Sequence, residues 1–322
     1  MAVFVVLIII SNVLLSAVYY VNKVMLNSNF YQLTYYLFNG KAGSGSFKVV
    51  MDTIITCIPF ALLSIIVTVL PIILVKHFKW FAVKKFIKIY AISLLCFCVL
   101  LTLHSYQFDD YVINKSKKTD IYKYYKDTNK VNVSFKGKKR NLILIYLESV
   151  ESSLMSKENG GLFNKSRIPE LETLALEYDN FSNTNKLGGG KNLTVSSFTM
   201  ASLVASSSGT PLDIKIFGGY NEKNKIMPEV KTLGDILKEN GYNLKVIQGT
   251  DINFSATDQY YKIHGDYEIV DYNEMIKKGY VPKGYLEWWG IEDKKMFEIS
   301  KKEILETAKK GMPFAVTMYT MD

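Results

Sequence analysis

Two places in this chain put reactive oxygen where it could act on an anionic centre. The first is Glu148, directly after the unbroken apolar run Asn141-Leu142-Ile143-Leu144-Ile145-Tyr146-Leu147. Such a run reads as a central strand of a parallel sheet, and sites in such sheets gather at the carboxyl ends of strands. A carboxylate at a buried strand tip is costly unless paired, and a metal ion is one good partner. A cap on the following turn, shared with Ser149, is the plainer use, and the residue alone does not choose between them.

The second place is Gly188-Gly189-Gly190-Lys191-Asn192-Leu193-Thr194-Val195-Ser196-Ser197-Phe198-Thr199-Met200-Ala201-Ser202. A glycine-rich loop leads here into a hydroxyl-rich helix start. Free N–H groups and the positive end of the helix dipole favour phosphate and a developing alkoxide. A threonine hydroxyl becomes a nucleophile there only when a base or a metal lowers its pKa. An ordinary capped helix packed through small residues is the commoner use of such a stretch.

The elements that must position these groups follow from periodicity. Pro169 opens a short helix through Tyr178, and Val230–Asn240 has a helical period closed by Gly241. Leu244–Ile247 reads as a strand, Glu292–Lys310 as a charged amphipathic helix ended by Gly311, and Pro313–Thr320 as a returning strand. Alternating strands and helices predict an α/β domain, a mainly parallel sheet with helices on both faces.

Ahead of this domain the chain is apolar. Ala2–Val21, Thr53–Val75 and Ile89–Phe108 carry no formal charge, and each has the roughly 20 helical residues that a bilayer core demands. The first lacks a basic leading region and a small-residue cleavage site before Tyr19-Tyr20, so it reads as a retained span. The link between spans two and three carries Lys76, Lys79, Lys84, Lys85 and Lys88 without an acid, against Lys23, Lys41 and Lys48 in the longer first link. Positive charge stays inside, which predicts a cytoplasmic N-terminus and an extracytoplasmic domain after Phe108. Lys115, Lys117, Lys118 and Lys123, interspersed with Asp109, Asp110 and Asp120, run against that rule. The expected organisation is a membrane region over 1–108, a juxtamembrane helix and linker over 109–140, and a catalytic domain over 141–322.

Composition narrows the partners. The net charge of +9 suits nucleic acid, an anionic membrane or a plain solvated surface. No nucleic-acid motif accompanies it, so lipid is the better fit. Cys57, Cys96 and Cys98 all fall within apolar spans, which excludes a disulfide framework or thiolate metal site downstream.

Taken together, several of these residues resemble the lipoteichoic acid synthase and phosphoglycerol transferase family of the alkaline phosphatase and sulfatase superfamily. The strand and tip NLILIYLES look like the family's first metal-ligand strand. The run Phe198-Thr199-Met200-Ala201-Ser202-Leu203-Val204-Ala205-Ser206-Ser207-Ser208-Gly209-Thr210-Pro211-Leu212 is similar to its nucleophile segment. Leu233-Gly234-Asp235-Ile236-Leu237, Gln248-Gly249, His264-Gly265, Trp289-Gly290-Ile291 and Thr320-Met321-Asp322 follow in the family's order. The similarity runs from about Asn141 to the last residue.

The resemblance implies that Glu148 is a metal ligand and that Thr199 is the nucleophile and a further ligand, with Thr194 as the rival. It implies a divalent cation (Mn2+ first, with Mg2+, Zn2+ or Ca2+ as alternatives). The implied partners are phosphatidylglycerol in the membrane and an envelope glycan or glycerophosphate polymer as acceptor. A phosphoethanolamine transferase, a sulfatase-like hydrolase and a non-enzymatic envelope protein are the competing readings. Ser197 and Phe198 stand where the family often has glycine and tryptophan, which bears on pocket shape. The family completes its metal with an Asp-His pair and a further His. The histidines here are His77, His104 and His264, and His264 reads as structural. The expectation is a C-terminally truncated chain, inactive alone.

Overall fold

The computed structural model describes residues 2–23, 28–40, 46–78, 82–190, 193–215, 218–287 and 289–321, without the side chains of 46–50 and 52. Lys41, Lys79, Lys191, Asn192 and Asp322, used in the sequence reading, lie outside the described residues. The chain divides into two units. One is Met1–Lys126 with Ile214–Asn224, the other Asp127–Asp213 with Lys225–Asp322, so neither is contiguous in sequence.

In the first unit the helices are α1 (Ala2–Lys23), α2 (Phe30–Asn39), α3 (Ser46–Phe78), α4 (Val83–Ser105), α5 (Phe108–Lys115) and α6 (Ile121–Tyr124). Three stretches, Ala2–Lys23, Thr53–Phe78 and Val83–Ser105, are long and apolar enough to cross a membrane. Polar groups within them find one another, as an apolar solvent demands. The Asn12 amide of α1 donates to Thr68 Oγ1 of α3 (3.1 Å) and accepts from Ser64 Oγ (2.8 Å), while Tyr90 of α4 donates to the Thr68 carbonyl (2.9 Å).

The third span differs in its bounds from the expected Ile89–Phe108. It begins at Val83, because lysines are good helix formers and their long stems let the ammonium groups reach water. It ends at Ser105, where Gln107 takes a left-handed φ of 54° and α5 starts afresh. Helix α2, inside the long first link, was not expected.

The second unit holds four parallel strands: β1 (Leu142–Tyr146), β2 (Asn243–Gln248), β3 (Glu268–Val270) and β4 (Phe314–Tyr319), in the order β1-β4-β2-β3. Its helices are α7 (Pro169–Glu177), α8 (Thr199–Ser208), α9 (Leu233–Glu239), α10 (Thr257–Ile263), α11 (Tyr272–Lys277) and α12 (Asp293–Ala308). Strand β4 is buried at every position and takes the inner place. The expectation that NLILIYL forms a central strand is corrected, since β1 lies at the edge of the described sheet. Ile143 and Ile145 are 45% and 48% exposed on the face turned away from Leu142, Leu144 and Tyr146. An apolar run reports affinity for burial on both faces, whereas the neighbours that supply it are set by tertiary pairing.

Local chemistry fixes the helix ends. Helix α9 starts at Leu233 rather than Val230 because Thr232 and Asp235 form a reciprocal capping box, the Thr232 N–H donating to Asp235 Oδ2 at 2.8 Å. Gly241 and Gly311 follow their helices with φ of 78° and 70°, the left-handed conformation that glycine adopts at least cost. Beneath α12 a buried ionic cluster ties three elements together. Glu303 accepts from Lys245 of β2 (2.5 Å), Lys278 (2.7 Å) and the Tyr280 hydroxyl (2.7 Å).

Candidate active site

Strand β1 stops at Tyr146, and Thr320, just past β4, fastens both Tyr146 and Glu148. The Thr320 N–H donates to the Tyr146 carbonyl (3.0 Å), and Thr320 Oγ1 accepts the Glu148 N–H (2.7 Å). Ser149 then turns the chain with φ of 56°. Glu148 is thereby held, half-buried, at the carboxyl end of the sheet.

Helix α8 delivers the second group. Phe198 is extended and buried, and the helix begins at Thr199, which is exposed. Thr199 Oγ1 donates to Glu148 Oε2 across 3.0 Å. A carboxylate receiving a hydroxyl proton at this range has the geometry of a general base with its nucleophile. The rival, Thr194, instead opens a separate 3-10 turn over Thr194–Ser196, and its carbonyl accepts from Ser197 Oγ (3.1 Å).

Two tyrosines hold α8 at its other end. The Tyr146 hydroxyl pairs with Ser206 Oγ (2.8 Å) and the Tyr260 hydroxyl with Ser207 Oγ (2.5 Å). Burial pushes both phenols up, so neither titrates in the physiological range. Tyr146 also stacks on Tyr319 of β4, ring centroids 5.2 Å apart. Sequence reasoning missed these supports and Thr320. The hydroxyl-rich run Ser206-Ser207-Ser208 was their one visible trace, because the partners are distant in sequence.

His264 is buried, with Nε2 3.0 Å from the Ile226 carbonyl and Nδ1 3.2 Å from Asp235 Oδ2. Both ring nitrogens are therefore occupied, Nδ1 tying the end of α10 to α9 and Nε2 tying it to the segment before α9. Burial alone would push the Asp235 carboxyl up, but hydrogen bonds from His264 and Thr232 outweigh it and hold it below the usual range.

Glu148 and Thr199 are both oxygen donors, the kind that hard divalent cations select, and they fit two positions of such an ion's shell. Among the described residues no group of three or more His, Cys, Asp or Glu side chains forms a closed metal site.

A family model described as Sulfatase matches residues 140–322. The chain is 30% identical over 204 residues to phosphoglycerol transferase I of Escherichia coli O6:K15:H31, covering 63% of this chain and 25% of that protein. The same figures hold for the phosphoglycerol transferase I of Shigella boydii serotype 18. The chain thus spans about a quarter of the length of the curated relatives it matches. Among solved structures, an alkaline phosphatase superfamily protein from Vibrio parahaemolyticus aligns with a TM-score of 0.40 and 21% identity, over 58% of this chain and 41% of that one. The lipoteichoic acid synthase LtaP from Listeria monocytogenes aligns with a TM-score of 0.40 and 17% identity, over 56% and 40%. The family model covers more than half of the sequence and the relatives bear out the resemblance first seen in NLILIYLES and the Thr199 segment: this chain belongs to the sulfatase family.

Proposed function

We propose that this protein is a membrane-anchored phosphoglycerol transferase that moves phosphoglycerol from phosphatidylglycerol to a hydroxyl on an envelope glycan or glycerophosphate polymer. The observation that carries this reading is the hydrogen bond from Thr199 to Glu148 at the start of α8, set in a chain whose relatives are phosphoglycerol transferases.

In the proposed reaction the Thr199 oxygen attacks phosphorus and its proton is held at Glu148 Oε2. The phosphorus–oxygen bond to diacylglycerol breaks, and the departing oxygen takes up a proton. The acceptor hydroxyl then attacks the phosphoryl-threonine, gives up its proton, and frees Thr199. The N-terminal turn of α8 presents backbone N–H groups to the phosphoryl oxygens. A divalent cation held by Glu148 and Thr199, with Mn2+ the first candidate, would supply Lewis-acid charge and lower the pKa of the attacking hydroxyl. The three apolar helices keep the domain beside a substrate that stays in the bilayer, which raises its effective concentration. The lysine distribution supports an extracytoplasmic placement.

The test is covalent capture. A full-length homologue, incubated with phosphatidylglycerol labelled in its headgroup, should acquire label on the peptide that matches the Thr199 segment, and the change matching Thr199→Ala should abolish this while that matching Thr194→Ala keeps it. Capture surviving Thr199→Ala removes Thr199 from the nucleophile role. Label taken up only from phosphatidylethanolamine reassigns the donor.

A further inference from the structure

Helix α2 has a composition that neither the catalytic reading nor the membrane spans explain. Its ten residues, Phe-Tyr-Gln-Leu-Thr-Tyr-Tyr-Leu-Phe-Asn, contain five aromatic side chains and no formal charge. At a rise of about 1.5 Å per residue it is roughly 15 Å long, half of the apolar thickness of a bilayer, so it cannot span one. It is nevertheless a well-defined helix. The Asn29 side chain caps it by accepting the Gln32 N–H (2.9 Å), and the Gly40 N–H closes it on the Tyr36 carbonyl (2.7 Å).

Its two faces differ. Tyr35 and Asn39, one turn apart, are buried. Asn39 Oδ1 accepts the Tyr220 N–H (2.8 Å), and the Tyr35 and Tyr220 rings lie 6.4 Å apart. Gly219 leaves no room for a side chain against this helix, since a Cβ there would lie 2.6 Å from the Phe38 carbonyl oxygen. Gly219 and Tyr220 therefore clamp the polar side of α2. Phe30, Leu33 and Leu37 form an apolar stripe on the other side, at the spacing i, i+3, i+7. Leu37 at its end is 76% exposed.

Helix α2 also sits at the level where spans end. Its first residues pack on α5, which starts directly after α4: Phe30 lies 5.0 Å from Phe108 and 4.9 Å from Tyr111, ring to ring. At the same end, Tyr106 beyond α4 donates to the Ala17 carbonyl of α1 (3.4 Å), and Thr53 of α3 donates to Tyr20 of α1 (3.3 Å). Clustered tyrosines at span ends are the signature of a membrane–water boundary.

We propose that α2 lies in the plane of the bilayer surface, with the Leu33–Leu37 part of its stripe seated in phospholipid at the headgroup–acyl boundary, Phe30 packed on α5, and its Tyr35–Asn39 side held by Gly219 and Tyr220. Uncharged, aromatic-rich and joined by short links to two spans, the helix is built for a lipid surface rather than for water. Such helices settle about 5–10 Å into the boundary. Because α2 carries no cation, its seating is apolar and independent of anionic lipid.

The experiment places an environment-sensitive fluorophore at Leu37→Cys in the full chain free of its own thiols (Cys57→Ser, Cys96→Ala, Cys98→Ala), reconstituted in phosphatidylcholine nanodiscs. Lipid brominated near the headgroup end of the acyl chain should quench most of the Leu37 emission and leave a label at Lys262→Cys unquenched. The quenching should persist at high salt and without anionic lipid. Water-like, unquenched emission at Leu37 overturns the proposal, and so does self-quenching that disappears on dilution with unlabelled protein, which would assign the stripe to a second copy. Leu37→Asp with the native cysteines provides an independent reading. It should raise backbone hydrogen exchange in 30–40 in vesicles and leave 233–248 unchanged, and unaltered exchange in 30–40 likewise overturns the proposal.

Discussion

Thr199 and Glu148, 51 residues apart in sequence, meet through a 3.0 Å hydrogen bond at the carboxyl end of the sheet. The strand tip supplies the acceptor and the helix start supplies the donor. Neither depends on the other locally, so the pair exists only because β1 and α8 are brought together, where Tyr146 of the strand also bonds Ser206 of the helix.

Removing either partner of this pair should remove chemistry and spare the fold. Glu148→Gln keeps the shape and loses the basic oxygen, and a positioned general base is worth about 10²–10⁴-fold in rate. We expect headgroup transfer to fall by that order while the thermal midpoint stays put. A transfer rate that is unchanged in Glu148→Gln would take the proton-accepting role away from Glu148.

Thr320→Val tests the fastening of the strand tip. It strips the acceptor from the Glu148 N–H, which Thr320 Oγ1 now meets at 2.7 Å. Leaving a backbone donor unmet in this half-buried place costs about 1–3 kcal/mol. The expected readouts are a lower denaturation midpoint and a transfer rate reduced beyond what the lost stability explains, with Thr320→Ser restoring both.

The hydroxyls of Tyr146 and Tyr260 should act on α8 together. Each Phe substitution deletes one bond to Ser206 or Ser207, worth about 0.5–1.5 kcal/mol net. Both bonds hold the same helix turn, so the double variant should depart from additivity in a double-mutant cycle on chemical denaturation. Strict additivity would show that the two contacts are independent.

Glu303 gives the pH dependence a definite sign. Burial pushes its carboxyl up, but hydrogen bonds from Lys245, Lys278 and Tyr280 outweigh this and bring it to about 2, below the ordinary 4.5. A depressed carboxyl contributes stability that is complete above its unfolded pKa and is lost as pH falls through the folded one. Unfolding free energy measured against pH should therefore drop between about 4.5 and 2, and this limb should flatten in Glu303→Gln. The substitution should itself lower stability, because buried Lys245 loses one of its two carboxylate partners and is left with Glu268 at 3.1 Å.

The sequence by itself determined the parts that rest on local pattern. Twenty uncharged residues in succession can satisfy their backbone in lipid only as a helix, so the three helices long and apolar enough to cross a membrane were legible, with differences confined to their ends. Gly241 and Gly311 marked the ends of α9 and α12 in capping chemistry, whereas the Thr232–Asp235 box that starts α9 was passed over in favour of Val230. Glu148 at a strand end and Thr199 near a helix start were visible as candidates, because strand tips and helix N-termini are where charge can be used. What only the tertiary structure decided depends on distant partners. NLILIYL does not say that β4 would take the inner place and leave Ile143 and Ile145 uncovered in the described sheet. Nor does it say that Thr320 would secure Glu148, or that Thr199 rather than Thr194 would donate to it. The return of Gly219 and Tyr220 to α2 was equally illegible, since such a contact shows its role only against the helix it clamps. Periodicity records how a segment wishes to be solvated, whereas a hydrogen bond between residues far apart depends on the packing of everything that brings them together.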